Sequence, residues 1–184
     1  VTGRLKVKSD SFPILTLDKD HRGVLKPNND VFIELDFNAA ELRTFLALLD
    51  IPQPNGDIHC WSMQNVFKGD LTREDVKKKT FAWLYNPIAK NVELDKMFNK
   101  EKAFKKYWSG SIITTPFKRK IQTDERRALS YLIQSTTSDI FLRRMLKIND
   151  LLKENGCESY IAFSVHDSLV LDFKKEEKEI LLNL

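Results

Sequence analysis

Val31-Phe32-Ile33-Glu34-Leu35-Asp36-Phe37-Asn38-Ala39-Ala40-Glu41-Leu42 changes period partway along its length. Val31, Ile33, Leu35 and Phe37 alternate with Phe32, Glu34 and Asp36, the pattern of a half-buried strand with two carboxylates on its second face. Asn38 and Glu41 then have the spacing of a capping box, and Leu42, Phe45, Leu46 and Leu49 recur at helical intervals until Asp50-Ile51-Pro52. The pattern predicts a strand that ends in an acid and runs directly into a helix.

Towards the C-terminus, Tyr160 to Val165 and Ser168 to Phe173 flank only His166-Asp167, which predicts a β-hairpin. Such turns normally carry Asn-Gly or Asp-Gly, and an acid between strongly apolar strands costs folding energy unless something uses it. Asp36 alone reads most simply as a solvated or capping residue. Paired with Asp167 on one sheet, it becomes a candidate for holding two divalent cations about 3.5 to 4 Å apart, the arrangement that serves phosphoryl displacement. Cys60 and Cys157 have no C-x-x-C partner, and His21, His59 and His166 are scattered, so any metal falls to carboxylates. Hard oxygen ligands favour Mg²⁺ over zinc.

Between these segments lie a Pro/Gly/Asn loop at 52–56 and a weakly helical stretch at 57–67. Thr72-Arg73-Glu74-Asp75 is an N-cap signal that opens a helix running to Tyr85, where Pro87 stops it. Residues 88–119 read as short helices and loops with clustered lysines and aromatics, Phe98, Phe104, Tyr107 and Trp108 among them. From 124 to 155, Leu129, Leu132, Ile133, Thr136, Ile140, Met145, Ile148 and Leu152 mark one long amphipathic helix, closed by Gly156 at a C′ position. The expected fold class is α+β, an antiparallel sheet backed by helices with a helical region beside it.

Arg73, Lys77, Phe81 and Tyr85 stand four residues apart on the helix that begins after Thr72, so they form one slowly turning stripe. One reading is a surface helix with solvated charges and core aromatics. The other is a grip for a polyphosphate near the helix N-terminus, with aromatics beyond it to meet a sugar and a base.

Composition narrows the classes. The 184 residues hold 30 Lys+Arg against 26 Asp+Glu, a net charge of +4, with 42% apolar residues and two cysteines. Disorder, collagen and a disulfide scaffold are excluded, and no apolar run reaches the roughly 18 to 20 residues that cross a bilayer. A soluble protein of a reducing compartment is expected, with no membrane partner. The mildly basic balance permits an anionic partner without demanding one. The sequence opens without Met and stops within the helical run Glu176 to Leu184, so it reads as a piece of something longer.

The ordered set Thr2-Gly3-Arg4-Leu5, Asp36-Phe37-Asn38-Ala39-Ala40-Glu41-Leu42-Arg43, Arg73-x₃-Lys77-x₃-Phe81-x₃-Tyr85, Arg126 with Gln134, and Val165-His166-Asp167 resembles the palm and fingers of family A (Pol I-like) DNA polymerases, of phage or bacterial type. The resemblance implies palm at 1–50 and 120–184 and reduced fingers at 51–119, without thumb or proofreading nuclease. It implies that Asp36, Asp167 and the carbonyl of Phe37 bind two Mg²⁺ ions. Arg73 and Lys77 would contact the phosphates of a deoxynucleoside triphosphate, with Lys77 also donating a proton to pyrophosphate. Phe81 would pack on the sugar, Tyr85 beside the templating position, and His59 near the phosphates, while Glu41 would block a ribose 2′-hydroxyl. Arg4, Arg126 and Gln134 would lie in the minor groove of primer-template DNA, where acceptors recur at every base pair, and His166 near the primer terminus. The implied setting is the cytoplasm of a bacterial or phage-infected cell, with missing thumb or nuclease segments or a processivity factor as further partners.

The sequence departs from that pattern in several places. Ser168 stands where the family usually has Glu, Ala39 where it often has Gln, Ser130 where Asn is usual, and Asn86-Pro87 follow Tyr85 in place of Gly. A single-subunit RNA polymerase is the nearest rival, since His-Asp-Ser is common there; Glu41 and Phe81 favour the DNA branch. A nucleic-acid-binding fragment without catalysis is the other alternative, held by Lys77-Lys78-Lys79, Lys105-Lys106 and Lys118-Arg119-Lys120.

Overall fold

The computed structural model describes residues 2–86 and 88–182, and these divide into two compact units, residue 2 with 38–137 and residues 3–37 with 138–182. The second unit is built on a three-stranded antiparallel sheet of β1 (Val31–Asp36), β4 (Tyr160–Val165) and β5 (Ser168–Phe173), with β5 in the centre. Val31 pairs with Phe173 and Asp36 with Ser168, while Val165 and Ser168 close the β4–β5 hairpin around His166-Asp167.

The alternation read from the sequence is the alternation of the sheet. Val31, Ile33, Leu35 and Phe37 pack with Leu169, Leu171 and Phe173 against Phe141, Ile148 and Leu152 of the long helix α6 (Glu125–Glu154). On the opposite face Phe32 meets Phe163 edge to face, ring centroids 5.7 Å apart. Asp172 is buried on that face, and burial would raise its carboxyl. The backbone N–H groups of Asn28 and Asn29 and the Tyr160 hydroxyl outweigh burial, so it is held below the usual range. That carboxylate fastens the approach to β1 onto β5.

Helix α6 ends as its composition requires. Gly156 has φ 65°, its N–H donates to the Lys153 carbonyl, and the Cys157 N–H donates to the Leu152 carbonyl. This pair of bonds is a Schellman motif, which needs a left-handed residue at the glycine.

In the first unit, α1 (Ala40–Leu48), α2 (Ile58–Asn65), α3 (Arg73–Tyr85), α4 (Val92–Met97) and α5 (Lys100–Tyr107) surround Phe45, Trp83 and Phe98 with Leu132 and Ile133 of α6. Thr72 caps α3 as expected, its hydroxyl accepting from the Asp75 N–H. Asn86, past the end of α3, is extended, and Pro87, expected to stop that helix, lies outside the described residues. Within 88–119 the sequence pointed only to helices and loops, and it marked no strand just beyond. Ile112–Thr114 and Lys120–Gln122 in fact pair as a two-stranded antiparallel ribbon, β2–β3, too short for a period of two to stand out.

The capping box at the start of α1 does not form. Ala39 is the N-cap, at φ 50°, with no side-chain cap bond. Both partners of the expected box are engaged elsewhere. Arg43 Nε donates to the Asn38 carbonyl at 3.0 Å with Nη2 3.5 Å from Asn38 Oδ1, and the Glu41 carboxylate accepts from the Tyr85 hydroxyl.

Candidate active-site residues and family

Asp36 is the last residue of β1 and faces Ser168 across the ladder, and Asp167 is the residue immediately before Ser168. The ladder therefore brings the two acids to one end of the sheet, with the Phe37 carbonyl following Asp36 and His166 preceding Asp167. His166 is exposed and takes φ 55°, a left-handed conformation that costs a non-glycine residue about 1 to 3 kcal/mol. Phe37 is anchored by its ring, which meets Phe141 edge to face at 6.4 Å.

Ser168 is 4% exposed, and its hydroxyl lies 2.7 Å from Glu34 Oε1 and 3.0 Å from the Val165 carbonyl. The side chain at this departure from the family pattern thus turns into the sheet and engages the second acid of β1. Among the described residues there is no cluster of three or more His, Cys, Asp or Glu able to hold a metal ion. Two carboxylates and a carbonyl remain, a hard-oxygen set of the kind Mg²⁺ takes when water and substrate phosphates complete its shell.

In the other unit the stripe on α3 borders the core, with Tyr85 partly buried against it. Trp83 and Leu84, each 2% exposed, serve the interior with Val76, while Phe81 and Tyr85 are half-buried and Lys77 is exposed. Phe81 and Tyr85 stack in parallel, 6.0 Å between centroids and 3° between planes, and His59 sits 5.9 Å from the Phe81 ring. His59, Phe81, Tyr85 and Glu41 thus form one chain of contacts, ending in the Tyr85–Glu41 hydrogen bond.

His59 is only 3% exposed, and its Nδ1 has no partner among the described residues. Burial lowers its pKa; Asp57 opposes that shift, and Arg73 and Lys77 reinforce it. Arg73 donates to Asp57 through Nη2 at 2.6 Å and Nε at 3.2 Å, and to Glu74 through Nη1 at 2.8 Å. The Arg73 guanidinium, with the His59 and Cys60 N–H groups, holds the Asp57 carboxyl far below the usual carboxylate range. Sequence reasoning passed over Asp57, although its position directly before an eight-residue helix is an N-cap signal.

Tyr85 and Arg126 line the same cleft, of about 180 Å³, with Lys100, Phe104, Leu129 and Ser130. Gln134, two turns along α6, donates to the Ser130 hydroxyl at 3.2 Å. Arg126 is exposed, as is Arg4, which lies in the irregular N-terminal segment of the other unit.

Comparison with known proteins bears on the family and the fold. The chain is 26% identical over 197 aligned positions to a DNA polymerase I of Caldicellulosiruptor bescii, covering 82% of this chain and 23% of that protein. It is 24% identical over 182 positions to a DNA polymerase of Mycobacterium phage D29, covering 80% and 29%. This chain therefore spans less than a third of either relative. Its fold is similar to the POL domain of Pol1 from M. smegmatis, solved in complex with DNA primer-template and dNTP. The TM-score is 0.66 at 17% identity, over 84% of this chain and 35% of that one. The sequence model for DNA polymerase family A matches residues 88–184, more than half of the 184 positions, and the chain is a member of that family.

Proposed function

We propose that this chain is the core of a template-directed DNA polymerase that adds deoxynucleotides to a primer 3′ end by two-metal-ion phosphoryl transfer. The observation that carries the reading is the β1–β5 register, in which Asp36 faces Ser168 and Asp167 occupies the adjoining turn. In this reading residues 1–50 and 120–184 act as palm and 51–119 as reduced fingers. Asp36, Asp167 and the Phe37 carbonyl hold two Mg²⁺ ions, which when bound stabilise charge on the attacking and leaving oxygens.

The chain's own groups supply the remaining steps. Arg73 and Lys77 take the triphosphate, with His59 near its phosphates, and Lys77 Nζ passes a proton to the departing pyrophosphate. Phe81 offers an apolar face to the sugar and Tyr85 closes the templating side, while the carboxylate of Glu41 opposes a 2′-hydroxyl. Arg4, Arg126, Gln134 and His166 engage the primer-template.

Magnesium-dependent primer extension tests the proposal. Asp36→Asn and Asp167→Asn should each abolish nucleotide addition while leaving DNA binding nearly intact, because an amide is a poor Mg²⁺ ligand and most DNA affinity comes from phosphate contacts. Extension at the parent rate by either variant, or equal loss of binding and extension, would overturn it.

A further inference from the structure

Two carboxylates hold Arg73 by different edges of its guanidinium, and they differ in how firmly they are themselves held. Asp57 takes the Nε–Nη2 edge. Its other oxygen accepts the N–H groups of His59 and Cys60, both at 2.9 Å, as the N-cap of α2. The peptide before it is pinned as well, since Arg43 donates to the carbonyls of Gly56 at 2.5 Å and Pro54 at 3.0 Å. Glu74 takes Nη1 from the neighbouring position in sequence, with a side chain 64% exposed. An exposed pair of this kind contributes little and is easily exchanged for another anion, whereas a side-on pair with a fixed carboxylate sets direction.

We propose that Asp57 is a positioning residue for nucleotide binding: it fixes the Nε–Nη2 edge of Arg73 so that the Nη1 end is presented to the triphosphate, with Glu74 as the anion that the triphosphate displaces. This rests on the phosphate role given to Arg73 above, and adds the residue that orients it. One carboxylate then sets both His59, at the start of α2, and Arg73, at the start of α3.

Charge and orientation give opposite signs when Asp57 is removed. Losing a carboxylate beside an anion site adds positive charge and by itself tightens binding; losing the orientation of Arg73 weakens it. Serine caps a helix as well as aspartate does, so Asp57→Ser keeps the cap and drops the ion pair, while Asp57→Ala drops both. Mg²⁺-dATP is titrated calorimetrically into the full chain and each variant, with the thermal midpoint measured alongside.

Asp57→Ser should bind about tenfold more weakly with its midpoint near the parent's, and Glu74→Gln about twofold more tightly. With primer-template, Asp57→Ser should raise KM and leave kcat little changed. Binding by Asp57→Ser as tight as the parent's, parallel losses of binding and midpoint in Asp57→Ser and Asp57→Ala, or weaker binding by Glu74→Gln would overturn the assignment. A parent that binds Mg²⁺-dATP in this Asp57-dependent way but extends no primer would uphold the positioning role and refute the polymerase reading. A parent that binds no Mg²⁺-dATP overturns both.

Discussion

The hydroxyl of Tyr85 donates to the carboxylate of Glu41, joining the end of α3 to the first turn of α1. The bond holds Glu41 in one place and uses part of its acceptor capacity. If that carboxylate guards the sugar, a 2′-hydroxyl arriving beside it loses its water partners, at a cost of about 1 to 3 kcal/mol, roughly 5- to 150-fold. Glu41→Ala should therefore raise ribonucleotide insertion relative to deoxyribonucleotide insertion by a factor in that range. Tyr85→Phe, which removes this one bond and keeps the carboxylate, should shift the ratio the same way but less. Single-nucleotide insertion of each sugar measures both, and an unchanged ratio in Glu41→Ala would remove the guard role.

His59 makes stability depend on pH with a definite sign. Burial holds its pKa in the folded chain below the ordinary value of 6.5, so the unfolded chain takes up a proton that the folded chain refuses. This contribution is fully present above about pH 6.5 and is lost as pH falls through that value towards the folded one. Denaturant unfolding at a series of pH values should show the loss, and His59→Phe should flatten it. An unaltered slope in the variant would assign the acid sensitivity to other groups.

Two left-handed positions give opposite predictions. A Cβ built at Gly156 meets no atom within 4 Å, so Gly156→Ala has room and should still destabilise by about 1 kcal/mol through its φ of 65°. Ala39, at φ 50° with no cap bond, carries that strain already, and Ala39→Gly should stabilise by about 0.5 kcal/mol. Urea titration of both variants checks the pair; changes of the same sign would mean that these turns are not limited by backbone conformation.

The parts of the fold legible in the sequence were those whose signal is a repeated period. β1, the hairpin 160–173, α3 with its Thr72 cap, and α6 with Gly156 all show it over six residues or more. The parts that were not legible depend on side-chain partners that no period marks. Asn38 looks like a cap until Arg43, five positions on, is seen to claim it, and Asp57 reads as the start of a weakly helical stretch until Arg73 arrives, sixteen positions later, to pair with it. The candidate site follows the same division. The stripe on α3 is a helical period, and the pairing of the two acids follows from strand order, but the Tyr85–Glu41 and Ser168–Glu34 bonds span 44 and 134 positions and leave no local trace.

The bond between Ser168 and Glu34 constrains how this lineage can change. A glutamate at position 168, the residue usual in the family, would bring a second carboxylate to the place where the serine hydroxyl now donates to Glu34. Ser168→Glu alone should therefore lose stability, and Glu34→Ser alone should leave the buried hydroxyl with one acceptor fewer. Made together, the two changes exchange acid and hydroxyl across the ladder, and a double-mutant cycle should show a coupling of about 0.5 to 3 kcal/mol. Positions 34 and 168 then act as one unit of stability, and the effect of a substitution at either depends on the residue at the other.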